Sequence, residues 1–103
     1  MRKIFGNPVS AHYTISKAAV EAMTIAFAKA GAPYNVLVNA VRAGVTETDF
    51  LKLNPAKDIQ RRVDLIPLKR LADPAEIAVT VYFLASDESS YVSGSILTVA
   101  GGE

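Results

Sequence analysis

Two short apolar runs with a well-capped helix between them constrain this chain more than any other feature. Residues 34–41 (Tyr-Asn-Val-Leu-Val-Asn-Ala-Val) lie between Pro33 and Gly44, and residues 95–100 (Ser-Ile-Leu-Thr-Val-Ala) follow Gly94. Continuous apolar runs of this length read as strands buried on both faces, the kind that parallel sheets contain. Between them, Asp73-Pro74-Ala75-Glu76 is a helix start, with Asp as N-cap, Pro at the first helical position and Glu closing a capping box. Ile77, Val81 and Leu84 mark its inner face with Phe83 nearby, and the helix is expected to end around Ala85-Ser86-Asp87. Strand, helical crossover and strand make a right-handed βαβ unit.

A longer helix is expected ahead of the first strand. Asn7-Pro8 is a turn signal, Ser10 a candidate N-cap, and the run from about Ala11 to Ala30 ends at Gly31, the expected C′ residue, with Pro33 blocking continuation. Val20, Met23 and Phe27 share one face, while Ala18, Ala22, Ile25 and Ala26 populate others. A helix apolar nearly all round is covered on more than one side. In so short a chain, part of that cover is expected from another subunit. The predicted order is helix, strand, short helices, helix, strand, an α/β arrangement with two parallel strands.

The composition excludes several function classes. At 103 residues the chain is a single domain, and half its residues are hydrophobic against one fifth charged, so a packed core is expected. Eleven basic and ten acidic residues leave a net charge of +1, and no basic run alternates with aromatics, so nothing calls for nucleic acid. The absence of cysteine rules out disulfides and thiolate metal sites and suits a reducing cytoplasm. A single histidine, His12, argues against a histidine-built metal site. Gly6, Asn7 and Pro8 interrupt the start before a signal sequence can form, and no uncharged stretch is long enough to span a membrane. The expectation is a soluble, cytoplasmic protein with no membrane partner.

One pair of residues carries candidate chemistry. Tyr13 and Lys17 stand four apart at the start of the long helix, so their side chains lie one above the other on one face. A free phenol titrates near pH 10, too high for proton transfer at neutral pH, and a nearby cation lowers that value. The pair could therefore protonate a carbonyl oxygen or deprotonate an alcohol. The same spacing also arises on ordinary amphipathic helices, with the lysine solvated and the tyrosine half-buried.

Arg42 to Thr48 forms the loop at the carboxyl end of the first strand, where open α/β sheets bind ligands. Gly44 could let backbone approach a ligand closely, and Thr46 and Thr48 offer hydroxyls. The alternative is a plain turn in which Thr48 or Asp49 caps a short helix. Phe50 to Leu71 mixes Leu53, Ile59, Val63, Leu65, Ile66 and Leu68 with a solvated charged face, and Asn54-Pro55 and Ile66-Pro67 break it into short helical pieces.

These residues together resemble the carboxyl-terminal part of the short-chain dehydrogenases/reductases (SDR). Tyr13-Thr14-Ile15-Ser16-Lys17-Ala18-Ala19 matches the family's Tyr-x-x-x-Lys signature and its usual continuation. Asn39 to Thr48 resembles Asn-x-Val-x-Pro-Gly-x-Val/Ile-x-Thr, with Ala43 in the usual proline position. Ile66-Pro67-Leu68-Lys69-Arg70 followed by Asp73 to Ala78 is similar to the family's approach to its last helix. Phe83 to Gly94 is similar to the end of that helix and the run into the last strand.

The resemblance implies a partial Rossmann-like unit that moves hydride between NAD or NADP and a carbonyl or alcohol. Tyr13 would be the proton donor and acceptor. Lys17 would lower its pKa and hydrogen-bond the nicotinamide ribose. The backbone at Thr46 would meet the nicotinamide carboxamide, Thr48 would contact the cofactor nearby, and Gly44 would allow the approach. The resemblance also implies oligomerisation through the 11–30 helix and through the last helix and strand. It covers only the family's carboxyl-terminal part. No glycine-rich pyrophosphate turn occurs, nor the residue that reads the adenosine ribose, nor the active-site asparagine. Ser10, three residues before Tyr13, does not stand where the family's catalytic serine does. The expectation is a truncated SDR domain over residues 1–103, completed by self-association and inactive alone, or else a fragment that complements a separate amino-terminal half.

Overall fold

The structure is a computed structural model that describes residues 10–53 and 59–103. The expected turn at Asn7-Pro8 and the break at Asn54-Pro55 lie outside the described residues. Helix α1 (Ala11–Gly31) leads through a short turn at Ala32–Tyr34 into strand β1 (Ala40–Ala43). Helices α2 (Asp49–Lys52), α3 (Ile59–Leu65) and α4 (Pro74–Ala85) follow, and strand β2 (Ile96–Val99) comes near the end. The strands pair in parallel, Ala40 opposite Ile96 through Ala43 opposite Val99. The α/β arrangement with two parallel strands read from the sequence is the one present.

Helix α4 forms where local chemistry demands it. The Ala75 N–H donates to Asp73 Oδ1 at 2.8 Å, and the Asp73 N–H donates to Glu76 Oε2 at 2.8 Å. Arg70 grips the same Glu76 carboxylate with two bonds of 2.7 Å. That grip, with the Asp73 backbone bond, holds the Glu76 carboxyl down at about 2. A cap of this kind contributes about 0.5–2 kcal/mol.

Two boundaries differ from expectation, each for a physical reason. Gly31 is not a left-handed cap but the last helical residue, at φ −79°. A Cβ there would stand 2.7 Å from the Val36 carbonyl oxygen, so glycine serves a close backbone approach. The left-handed residue is Asn35, at φ 56°. Strand β1 starts at Ala40 and not at Tyr34, because side chains replace the ladder ahead of it. Asn39 Nδ2 donates to the Val92 carbonyl at 2.8 Å and its Oδ1 accepts from the Ser95 N–H at 3.0 Å. Ser93 Oγ accepts from the Val38 N–H, and the Gly94 N–H donates to the Val38 carbonyl at 2.7 Å.

The core is thin. Among the described residues the buried apolar side chains are Ala28, Ile66 and Ala100. On α1 only Thr24 and Ala28 are buried, while Ile15, Met23 and Phe27 stand 68%, 48% and 55% exposed. On α4, Val79 and Tyr82 are 68% and 74% exposed. Burying one such side chain is worth about 1.5–3 kcal/mol, so these faces represent substantial unused stabilisation. No helix among the described residues is long and apolar enough to cross a membrane.

Candidate active-site half

Tyr13, Lys17 and Glu21 follow one another at i, i+4 and i+8 along α1, and all three line one open cleft of about 1150 Å3. The opposite wall is β1 and the residues just after it, Arg42 and Gly44 among them, and α3 contributes Arg61. It is an open cleft and not an enclosed cavity.

Lys17 Nζ lies over the Tyr13 ring, 5.4 Å from its centroid, within reach of a cation–π attraction. Tyr13 is half exposed. The expected juxtaposition of phenol and ammonium is thus present, with the cation over the ring face. Ser10 Oγ, also on the cleft, is buried without a hydrogen-bond partner. It sits at the N-cap position of α1 but makes no side-chain cap bond.

The loop after β1 is held from two sides. The Gly44 N–H donates to the Val99 carbonyl at 2.8 Å. Next, Thr46 bridges Ala72 in parallel, with the Glu47 N–H donating to the Ala72 carbonyl and the Ala72 N–H to the Val45 carbonyl. Gly44 is required by packing: a Cβ there would stand 2.7 Å from the Ala100 Cα. Thr46 Oγ1 donates back to the Gly44 carbonyl at 3.2 Å. Thr48 is the exposed N-cap residue of α2, without a side-chain cap bond. Tyr13, Lys17 and Gly44 therefore share the cleft, whereas Thr46 and Thr48 stand outside its lining.

One pair escaped the sequence reading. Arg42 Nε and Nη2 donate to Glu21 Oε1 and Oε2 at 2.7 and 2.6 Å, and Arg42 Nη1 reaches Thr98 Oγ1 at 3.3 Å. The hydrogen bonds from Arg42 hold the Glu21 carboxyl below its ordinary range, and Glu21 raises the Arg42 guanidinium. A signal existed. Glu21 is the one acid within residues 11–31, and Arg42 the one charge within residues 34–43.

A family profile described as enoyl-(acyl carrier protein) reductase matches residues 1–103. A crystal structure of a short chain dehydrogenase family protein from Francisella tularensis superposes on 95% of this chain and 45% of its own, with a TM-score of 0.84 and 34% identity. The chain belongs to the SDR family. Among curated SDR relatives, the 3-oxoacyl-[acyl-carrier-protein] reductase FabG of Thermotoga maritima is 44% identical over 99 residues, covering 96% of this chain and 40% of its own length. A 3alpha-hydroxysteroid dehydrogenase from Mediterraneibacter gnavus is 42% identical over 101 residues, covering 98% and 40% respectively. The chain spans about two fifths of the length of these SDR relatives.

Proposed function

We propose that this chain supplies the proton-transfer side of an NAD(P)-dependent hydride-transfer site for a carbonyl or alcohol. Alone it is an inactive, self-associating half, and it becomes competent when a nucleotide-binding portion closes the cleft. The observation that carries this reading is the placement of Tyr13 and Lys17 on one helical face, opening on a cleft at the carboxyl end of β1.

The residues present fit one end of the dinucleotide only. Lys17 would hold the nicotinamide ribose, the Thr46 backbone would meet the carboxamide, and Thr48 would contact the cofactor nearby, with Gly44 allowing the approach. Nothing in the sequence matches a pyrophosphate cradle. NAD(P), if bound there, would supply hydride donation or acceptance at the substrate carbon. The Tyr13 hydroxyl gives its proton to the carbonyl oxygen on reduction and takes the alcohol proton on oxidation. The Lys17 ammonium, over the same ring, would stabilise the phenolate left behind. Self-association covers the apolar residues of α1 and α4, as the exposure of Phe27 and Tyr82 supports.

Calorimetric titration of the chain with NAD(P)H, with light scattering for mass, tests the reading. A dimer or larger assembly without measurable nucleotide affinity is expected. Hydride transfer should appear when the chain is joined to the nucleotide-binding portion of a relative. Micromolar binding by the chain alone overturns its inactivity, and a joined protein that binds nucleotide but leaves carbonyls unreduced overturns the catalytic assignment.

A further inference from the structure

Helix α1 is held unevenly along its length. Thr24 and Ala28 are its buried residues, and Ala28 packs where Gly94 turns into β2, a Cβ at Gly94 lying 3.4 Å from the Ala28 Cβ. Before Thr24 no residue of the helix is buried, and the helix overhangs the cleft. Tyr13 and Lys17 both lie on that overhang.

Among the described residues, the hydrogen bonds that join α1 to the sheet are those between Glu21 and Arg42. They are bidentate, which fixes orientation as well as distance. Arg42 is itself anchored on both strands, through its place in β1 and its bond to Thr98 of β2. Gly44, the start of the loop that lines the cleft opposite Tyr13, lies two residues further along the chain, just past the end of β1.

We infer that Glu21 and Arg42 are positioning residues, a clamp that sets the Tyr13–Lys17 face of α1 against the loop at residues 44–48. The inference rests on the proposed function, whose site the clamp would align. The geometry gives it scale. At about 1.5 Å per residue, Tyr13 lies roughly 16 Å from Thr24, so a tilt of about 5° around Thr24 displaces Tyr13 by about 1.4 Å. A misplacement of about 1 Å can cost on the order of 100-fold in rate. Glu21 stands between the two, where a fixed point removes most of that tilt. Lysine at position 42 would keep the charge but lose the fork.

The test exploits the absence of cysteine. Spin labels at Ala19→Cys and Glu47→Cys, both exposed positions, report the distance between α1 and the loop in the full chain. Labelled chain is diluted with unlabelled chain, so that self-association adds no second distance. A narrow distribution is expected for the otherwise native chain and one at least about twofold broader for Glu21→Gln, as expected when a bidentate pair is lost. The charge-swapped double variant Glu21→Arg/Arg42→Glu should restore the narrow one. An unchanged distribution in Glu21→Gln overturns the clamp. So does broadening that the swap leaves in place, because that is general loosening.

The chain joined to a nucleotide-binding portion gives the second readout. Glu21→Gln should lower kcat about 10- to 100-fold with KM for nucleotide little changed, and the swap should recover the rate. Equal kcat in Glu21→Gln and native protein overturns the positioning role. Absence of hydride transfer in the native joined protein overturns the proposed function instead, and the distance measurement still decides the clamp.

Discussion

The ammonium of Lys17 lies over the aromatic ring of Tyr13, 5.4 Å from its centroid, one helical turn further along α1. Both side chains are exposed, so neither contributes much to folding. An exposed cation–π contact is worth about 0.5–1 kcal/mol. Stability and chemistry should therefore separate cleanly when either residue is changed.

In the chain joined to a nucleotide-binding portion, Tyr13→Phe and Lys17→Met should each reduce hydride transfer by about 10²–10⁴-fold. Their melting midpoints should stay close to that of the native protein. Steady-state kinetics beside thermal denaturation checks this, and a parallel fall in both would show that the pair is structural.

Gly44→Ala should destabilise the sheet. The added methyl would meet Ala100 backbone at 2.7 Å, which cannot rotate away as a side-chain tip can. Forcing the strands apart should cost about 1–3 kcal/mol, read from denaturant midpoints.

The start of α4 carries a pH signature. Glu76 has an ordinary value of 4.5 and is held at about 2 in the fold, by Arg70 first and the Asp73 backbone second. Its folded value is depressed, so its stabilisation is complete above about pH 4.5 and fades as pH falls toward 2. Glu21, depressed by Arg42, fades in the same direction. Glu76→Gln should flatten the loss of stability over that acid range, as measured by denaturation across pH. Asp73→Ala should cost about 0.5–2 kcal/mol at neutral pH.

The exposed apolar side chains predict assembly. Phe27→Glu on α1 or Tyr82→Glu on α4 should lower the mass seen by light scattering, because a charge opposes burial where 55% and 74% exposed rings now stand. Assembly indifferent to both changes would place the contact elsewhere.

Much of this was legible because the signals are local. The α4 cap uses residues three apart, and the two strands announce themselves as short apolar runs. Glycine was harder to read: Gly31 and Gly44 are both dictated by what stands close in space, Val36 and Ala100, and not by their own backbone angles. Asn39 shortened β1 through bonds to residues 92 and 95, which no local pattern reveals. The Glu21–Arg42 pair shows the same limit. Each charge was conspicuous in an apolar run, but their meeting depends on how α1 crosses the sheet.

The contact of Gly44 with Ala100 makes the mouth of the cleft and the far end of the chain a single mechanical unit. The loop opposite Tyr13 begins where the last strand allows it to, at a spacing set by one missing carbon atom. Substitutions around residues 99–102 should then act as remote tuning screws on the loop at 44–48, altering how it meets a bound molecule while touching neither Tyr13 nor Lys17.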